Sequence, residues 1–503
     1  MKSRTSIIAL LALLTCLATP ANGKEAPVKV LFPGNWADPT VTRVGDDYYL
    51  TSNNDLHVPS VLLWHSTDLR RWEPVCYASP SKLQAPATDI KEYGGRLYIY
   101  GGGGRNPWVM FAKPPYTSWS KRINLQPLAR HGIDAGHITD ENRNRYLYMT
   151  RGRIVKLSKD GVRAKTAPRK VYDGWPIPQS LAIECKCLES PKLFKRNGWY
   201  YMVSAQGGTG GPSTSHMAIV ARSKHVDGPW QNSPHNPLIW TQDRSEAWWS
   251  TGHATLIEGP DGHWYAIYHG YPHGHRSIGR CTLISPVEWT DDDWPVLASE
   301  WPPGWDGTIS LDLPLDDDFD GEELGMQWQS LGRLDRDRYS LEDGSLVVKA
   351  TGDEPGTSSP LTVNPRNLAY EVETELVLEG DISAGLTLFY SADAYVSIGL
   401  SHEGRVQKHL MSPRHGPEAF LQNRAPFAGR RVRLKIVNDR QDASYYYAEP
   451  GGDWHKIPHS NDISGFQHNV FGGFVSVRPG IFAAGTGSAS FSYFKYRPLP
   501  ARF

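Results

Sequence analysis

The sequence predicts an all-β chain, with a five-bladed β-propeller over residues 24–312 and a β-sandwich over residues 313–503. Three observations lead there. A short Tyr-centred hairpin recurs five times at intervals of about 50 residues, the period of propeller blades. Glycine (48) and proline (38) are plentiful, and long apolar helical stripes are absent. The aromatic composition breaks in two, because 16 of the 18 Trp precede residue 312 and only Trp328 and Trp454 follow it.

Taken in order, the chain opens with the basic residues Lys2 and Arg4, then a mostly apolar stretch from Ile7 to Leu17. That stretch is too short to span a bilayer, and Ala21-Asn22-Gly23 has the small–x–small form of a cleavage site. The expectation is a signal peptide over 1–23 and a secreted or periplasmic mature protein. A lipid anchor at Cys16 is disfavoured because Thr15 stands before it. Four cysteines then remain, Cys76, Cys185, Cys187 and Cys281. If Cys185 and Cys187 lie on a strand they share a face and do not pair easily, so buried free thiols are expected. A Cys-x-Cys metal site lacks a second matching pair.

The five hairpins read Gly45-Asp46-Asp47-Tyr48-Tyr49, Gly94-Gly95-Arg96-Leu97-Tyr98, Asn144-Arg145-Tyr146-Leu147-Tyr148, Asn197-Gly198-Trp199-Tyr200-Tyr201 and Asp261-Gly262-His263-Trp264-Tyr265. Their anchors, Tyr49, Tyr98, Tyr148, Tyr201 and Tyr265, are 49, 50, 53 and 64 residues apart. Four of the five turns carry Gly, as tight hairpins prefer. Beyond the acidic run Asp316–Asp320, strand-like segments appear at 345–349, 369–377, 385–390 and 431–437. Most alternate with period two, which suits a sandwich.

Charge and composition exclude several classes. Lys+Arg and Asp+Glu are equal at 53 each, so the positive excess that phosphate contacts need is missing and no nucleic-acid partner is expected. A mean hydropathy of −0.47 excludes a polytopic membrane protein. Forty-two Trp and Tyr stand against 14 Phe, a surplus of rings that stack and also hydrogen-bond. A polar, flat-faced ligand such as a sugar fits.

The inner strand of each blade should precede its Tyr anchor by a fixed interval. Looking back 11 to 14 residues gives Asp38, Asp134, Glu189 and His253 in four repeats, and the uncharged Pro86 in the second. Three carboxylates and a histidine would then converge on one axis, where unpaired acids are costly without a purpose. Pro39 biases Asp38 toward extended geometry. Taken singly, Asp38 and Asp134 could be turn residues and His253 a satisfied core histidine; their matched offsets favour function. Converging carboxylates beside aromatic rings are the apparatus of glycoside hydrolysis.

These residues lie in segments that resemble glycoside hydrolase family 43, particularly members of the β-xylosidase kind with a C-terminal concanavalin-like sandwich. The segments are Phe32-Pro-Gly-Asn-Trp-Ala-Asp-Pro-Thr40, Gly132-Ile-Asp-Ala-Gly136, Leu188-Glu-Ser-Pro-Lys192, Gly252-His-Ala254 and Gly279-Arg-Cys-Thr-Leu-Ile-Ser-Pro-Val-Glu-Trp289. The resemblance implies Asp38 as general base, Glu189 as general acid and Asp134 as the residue that tunes and orients the acid. It implies His253 on the axis and Arg280 against substrate. Trp36 and Trp108 are the rings expected to stack on a sugar. Asp134-Ala135-Gly136 departs from the family's usual Asp-Pro-Ser, and the loop His269–His275 is unusually rich in histidine.

The expected activity is exo-acting, inverting hydrolysis of β-D-xylosides or α-L-arabinofuranosides at the non-reducing ends of plant or algal polysaccharide fragments. No cofactor is required; the family suggests a structural calcium near His253, although the sequence holds no dedicated metal loop. The acidic run Asp316–Asp320 could also hold calcium, or serve as a solvated charge patch. Two rivals stand beside this reading. One is a retaining, fructosidase-like propeller with Glu184 as the acid. The other is a non-catalytic glycan-binding propeller. Oligomeric state is left open.

Overall fold

The computed structural model describes residues 26–500, apart from 54–55, 82–86, 104–105, 126–133, 306 and 413–419. The expected signal peptide and Pro86 lie outside the described residues. Five antiparallel sheets follow the five hairpins. Blade I comprises Ala37–Val44, Asp47–Asn53, Ser60–Ser66 and Arg71–Ser79. Blade II begins with Asp89–Glu92 and Leu97–Gly103, blade III with Gly136–Thr139 and Arg145–Met149. Blade IV begins with Glu189–Arg196 and Trp199–Gln206, blade V with Trp248–Glu258 and Trp264–Pro272. Every Tyr anchor therefore sits on the second strand of its blade. Lys29–Phe32 completes blade V by pairing with Cys281–Trp289, which closes the ring with the chain's own beginning.

The anchors are recurrent because each faces the next blade. Tyr98 packs with Leu147 and Val155 of blade III, and Tyr148 with Leu193 and Met202 of blade IV. Tyr201 packs with Ala266 and Leu283 of blade V, and Tyr265 with Val41 and Leu50 of blade I. Tyr49 lies against Ile90 and Ile99 of blade II. One apolar cluster thus fills each gap between blades, and a large ring with a polar tip suits that position.

The second unit is a sandwich dominated by two long paired strands, Ala369–Ser391 and Arg478–Pro498. The sequence predicts separate strands at 369–377 and 385–390. They are instead one continuous strand, because pairing with Arg478–Pro498 persists across 378–384, where Gly380 lies opposite Gly487. The acidic run turns inward as well as outward. Asp316 accepts the Tyr496 amide, and Asp317 accepts Trp328 Nε1 at 2.7 Å and Gln327 Nε2 at 3.0 Å.

The two units are laced together. Ser310–Leu311 adds in parallel to the edge of Arg71–Ser79, and Ser330–Leu331 pairs with His57–Val58. Asn35 and Asn364 exchange two hydrogen bonds, at 3.0 and 3.1 Å. No helix among the described residues is long and apolar enough to cross a membrane.

Candidate active site

The four residues at matched offsets meet at one end of the propeller axis. Asp38, Asp134, Glu189 and His253 line one cavity of about 280 Å³, together with Arg280. The strands that carry Asp38, Glu189 and His253 are irregular at these positions. The ladder slips between Ala37 and Thr40, between Glu189 and Lys192, and on both sides of Gly252. Such bulges re-aim side chains and gather near active sites. Asp38, Asp134 and His253 also adopt left-handed backbone, with φ of 53°, 58° and 59°. The extended geometry expected for Asp38 from Pro39 is thus overturned; the bulge and the surrounding bonds override the local preference. Strain of about 1–3 kcal/mol per residue is typical of such positions.

Asp38 is enclosed by cations and donors. Arg280 Nη1 donates to its Oδ1 at 2.9 Å, and Asn53 Nδ2 to its Oδ2 at 3.2 Å. His253 Nδ1 and His269 Nδ1 lie 3.3 and 3.0 Å from Oδ1. Burial alone would raise its pKa, but Arg280, His253 and His269 outweigh that and hold it well below the usual carboxylate range. Asp38 is therefore an anion at neutral pH.

Glu189 is the opposite case. Burial, then the nearby Asp134 and Asp38 carboxylates, push its pKa well above the usual value. Asp134 is raised as well, by burial and by Asp38, although Lys192, Arg280 and the Ser190 amide oppose the shift. That amide bond ties Asp134 to the residue beside Glu189. The departure at Asp134-Ala135-Gly136 has a packing reason: a Cβ at Gly136 would lie 1.7 Å from the Pro191 carbonyl oxygen. Only glycine lets blade III approach the acid's strand this closely.

Below the cavity the axis is filled with polar bonds. Lys192 Nζ donates to the Thr88 carbonyl at 2.6 Å and the Ala135 carbonyl at 3.3 Å, with Asp89 Oδ1 at 3.8 Å. Asp89 accepts Thr40 Oγ1 from blade I and the His137 amide from blade III. Four blades are thereby cross-tied under the carboxylates. Asp89 escapes the offset rule because it stands nine residues before Tyr98.

Several expectations need correction. Trp36 and Trp108 do not line the cavity. Trp36 is 3% exposed among Phe32 and Trp64, and Trp108 is 1% exposed in the cluster between blades I and II. Cys185 and Cys187 are joined by a disulfide. They do not lie on a strand: Cys187 has φ of 30°, and their Cα atoms are 5.3 Å apart, against roughly 6.6 Å for alternate residues of a strand. Glu184 lies at the cavity lip and accepts the Gly210 amide at 2.9 Å.

Other wall residues were not singled out from the sequence. Asn53 is legible afterwards, since it pairs with Ala37 across the first hairpin. His269, from the histidine-rich loop, is opposite Gly252 in the ladder and fully buried against Asp38. His216 stacks on His269, and neither of its ring nitrogens has a hydrogen-bond partner among the described residues. Burial, then the neighbouring His269, His253 and Arg280, hold His216 well below the usual histidine pKa, so a neutral ring offers one donor and one acceptor to the cavity. Phe474 comes from the sandwich. Its ring lies 4.6 Å from the Arg280 guanidinium, and its carbonyl accepts Asn35 Nδ2 at 3.1 Å.

Among the described residues, the side chains near His253 by themselves supply too few oxygens for a calcium cage. Asp38, His253 and His269 are close enough to share an ion. They supply two imidazoles and one carboxylate oxygen already bonded to Arg280, whereas calcium takes six to eight oxygens.

An ionised carboxylate and a protonated one facing a sugar-sized cavity are the pair that hydrolysis of a glycosidic bond requires. The class is that of a propeller glycosidase. Comparison with known proteins gives the particular family. Residues 28–295 match the model of glycosyl hydrolases family 43, and residues 316–497 match the β-xylosidase C-terminal concanavalin A-like domain. The chain belongs to family 43 and is a glycoside hydrolase acting on carbohydrate. It is 27% identical to xylosidase/arabinosidase 43B of Humicola insolens, over 93% of this chain and 97% of that one. It is 25% identical to a non-reducing end α-L-arabinofuranosidase of Bacteroides ovatus, over 92% and 93%. The fold superposes on the family 43 protein BlXynB of Bacillus licheniformis with a TM-score of 0.83 at 23% identity, covering 94% of this chain and all of that one.

Proposed function

We propose that this enzyme is an exo-acting, inverting glycosidase that removes a terminal β-D-xylosyl or α-L-arabinofuranosyl unit. The observation that carries the reading is the opposed state of the two acids across one small cavity. Asp38, kept ionised by Arg280 and the two histidines, takes a proton from the attacking water. Glu189, kept protonated by burial and by Asp134, gives its proton to the leaving oxygen. Arg280 and the neutral His216 and His253 face the sugar hydroxyls. A cavity of about 280 Å³ suits one terminal sugar better than a chain threading through, which supports the exo mode. The names of the relatives support xylose or arabinose as that sugar. The segment 1–23 supports export to the cell exterior or periplasm.

Two measurements test this. Proton NMR of the first product should show inversion at the anomeric carbon; retention would point to an acid used as nucleophile. Glu189→Gln should lower kcat on a glycoside with a poor leaving group by about 10²–10⁴-fold. Unchanged hydrolysis removes Glu189 from the acid's role.

A further inference from the structure

Among the described residues, strand pairing holds Glu189 on its downstream side only, although the Leu188 carbonyl just upstream accepts the Arg151 amide at 2.8 Å. Downstream, its strand is laddered, with Glu189 opposite Ala205, although the register slips before Lys192. Upstream, residues 184–188 form no strand. They are hooked to a glycine-rich loop: the Glu184 and Cys185 amides both donate to the Gly207 carbonyl, and the Gly207 amide to Lys186. The fit is close, for a Cβ at Gly208 would lie 2.8 Å from Cys185 Sγ. Left-handed residues flank the acid, Cys187 at φ 30° and Ser190 at φ 49°. Such backbone persists only where the surroundings over-determine it. The Cys185–Cys187 bridge closes a ring across Lys186, and both cysteines line the cavity.

We propose that this disulfide is a positioning clamp for the Glu189 carboxyl, so that proton donation to the leaving group depends on the oxidised bridge. The inference rests on the acid role given to Glu189 above. The bridge does upstream what the ladder does downstream. It fixes the left-handed turn two residues before the acid, where a loop alone holds a catalytic group less accurately than a strand. A reductant that opens the bridge frees that turn. With a phosphine, the S–S bond breaks, two thiols form, and the phosphine becomes its oxide with oxygen from water.

The test uses the full chain. Alkylation mapped by mass spectrometry should leave Cys185 and Cys187 unmodified until a phosphine is added; labelling of both without reductant overturns the proposal. After reduction, kcat on a poor-leaving-group glycoside should fall at least about tenfold, since a misplacement near 1 Å costs about 10²-fold. An activated aryl glycoside, whose leaving group departs without a proton, should lose much less, and KM should hardly move. Reoxidation should restore the rate. The double variant Cys185→Ser/Cys187→Ser should show the same selective loss and no response to phosphine. No loss, or equal loss on both substrates as unfolding would give, overturns the clamp alone. A chain that cleaves no glycoside even when oxidised overturns the proposed function and the clamp's role with it.

Discussion

In the sandwich, Glu373 is buried among partners that neutralise it: Arg433 at 2.9 Å, Arg497 at 3.1 Å and Tyr493 Oη at 2.7 Å. In the propeller, Asp134 is buried and Glu189 half-buried, each within reach of the other's charge and of Asp38. Both units are antiparallel β, and both bury carboxylates. The sandwich arranges them so that the charge is satisfied, and the Glu373 pKa falls despite its burial. The propeller arranges them so that repulsion survives, and burial with the nearby Asp134 and Asp38 raises the Glu189 pKa. A carboxylate set among groups of its own sign, as Glu189 is, therefore holds its proton, and one buried among groups of opposite sign, as Glu373 and Asp38 are, stays ionised.

Asp134→Asn should break the contrast most strongly among the variants that leave both reacting acids in place. Removing the Asp134 charge lowers the Glu189 pKa, so the acid ionises sooner as pH rises. The alkaline limb of kcat/KM should move to lower pH, and activity at neutral pH should fall by about 10-fold or more. An unmoved limb would mean that burial alone sets Glu189.

The next effect is on stability, and its sign differs between the two units. Glu373 has a lowered folded pKa, so its contribution is full above the unfolded value near ~4.3 and is lost as pH falls through the folded value. Glu189 has a raised folded pKa, so stability declines as pH rises from ~4.3 toward the folded value. At neutral pH Glu373→Gln should therefore destabilise by about 1–3 kcal/mol without loss of activity. Glu189→Gln should raise Tm while abolishing proton donation, the exchange expected where function stores strain. Thermal melts of the two variants at pH 7 and pH 4 check both signs.

The smallest expected effect concerns Phe474, which the sandwich places in the cavity. Phe474→Ala removes the ring against Arg280. KM should rise by about 10-fold, since the lost cation–π contact contributes about 0.5–2 kcal/mol, with kcat less affected. An equal fall in kcat would instead show that Phe474 holds Arg280 in place for the chemical step.

The repeats, the two units and the positions of Asp38, Asp134, Glu189 and His253 were legible in the sequence. A hairpin with a fixed turn and a fixed Tyr is a local signal, and equal offsets from it are a local inference. Arg280 was reached through resemblance. Trp36 and Trp108 misled because composition counts aromatic rings without saying which face of a blade they occupy. Gap-filling rings and sugar-stacking rings have the same chemistry.

What the sequence by itself determined is periodic: the blades and the offset of each acid from its Tyr anchor. What only the tertiary structure decided is the protonation of those acids and the walls around them. Asn53 and His269 come from separate strands, His216 stands just before the strand Met217–Ser223, and Phe474 comes from the sandwich, more than 280 residues after Glu189. The Cys185–Cys187 bond depends on a left-handed turn that spacing cannot reveal. A pKa is set by charges within a few ångströms in space, and the fold brings those charges together from four of the five blades.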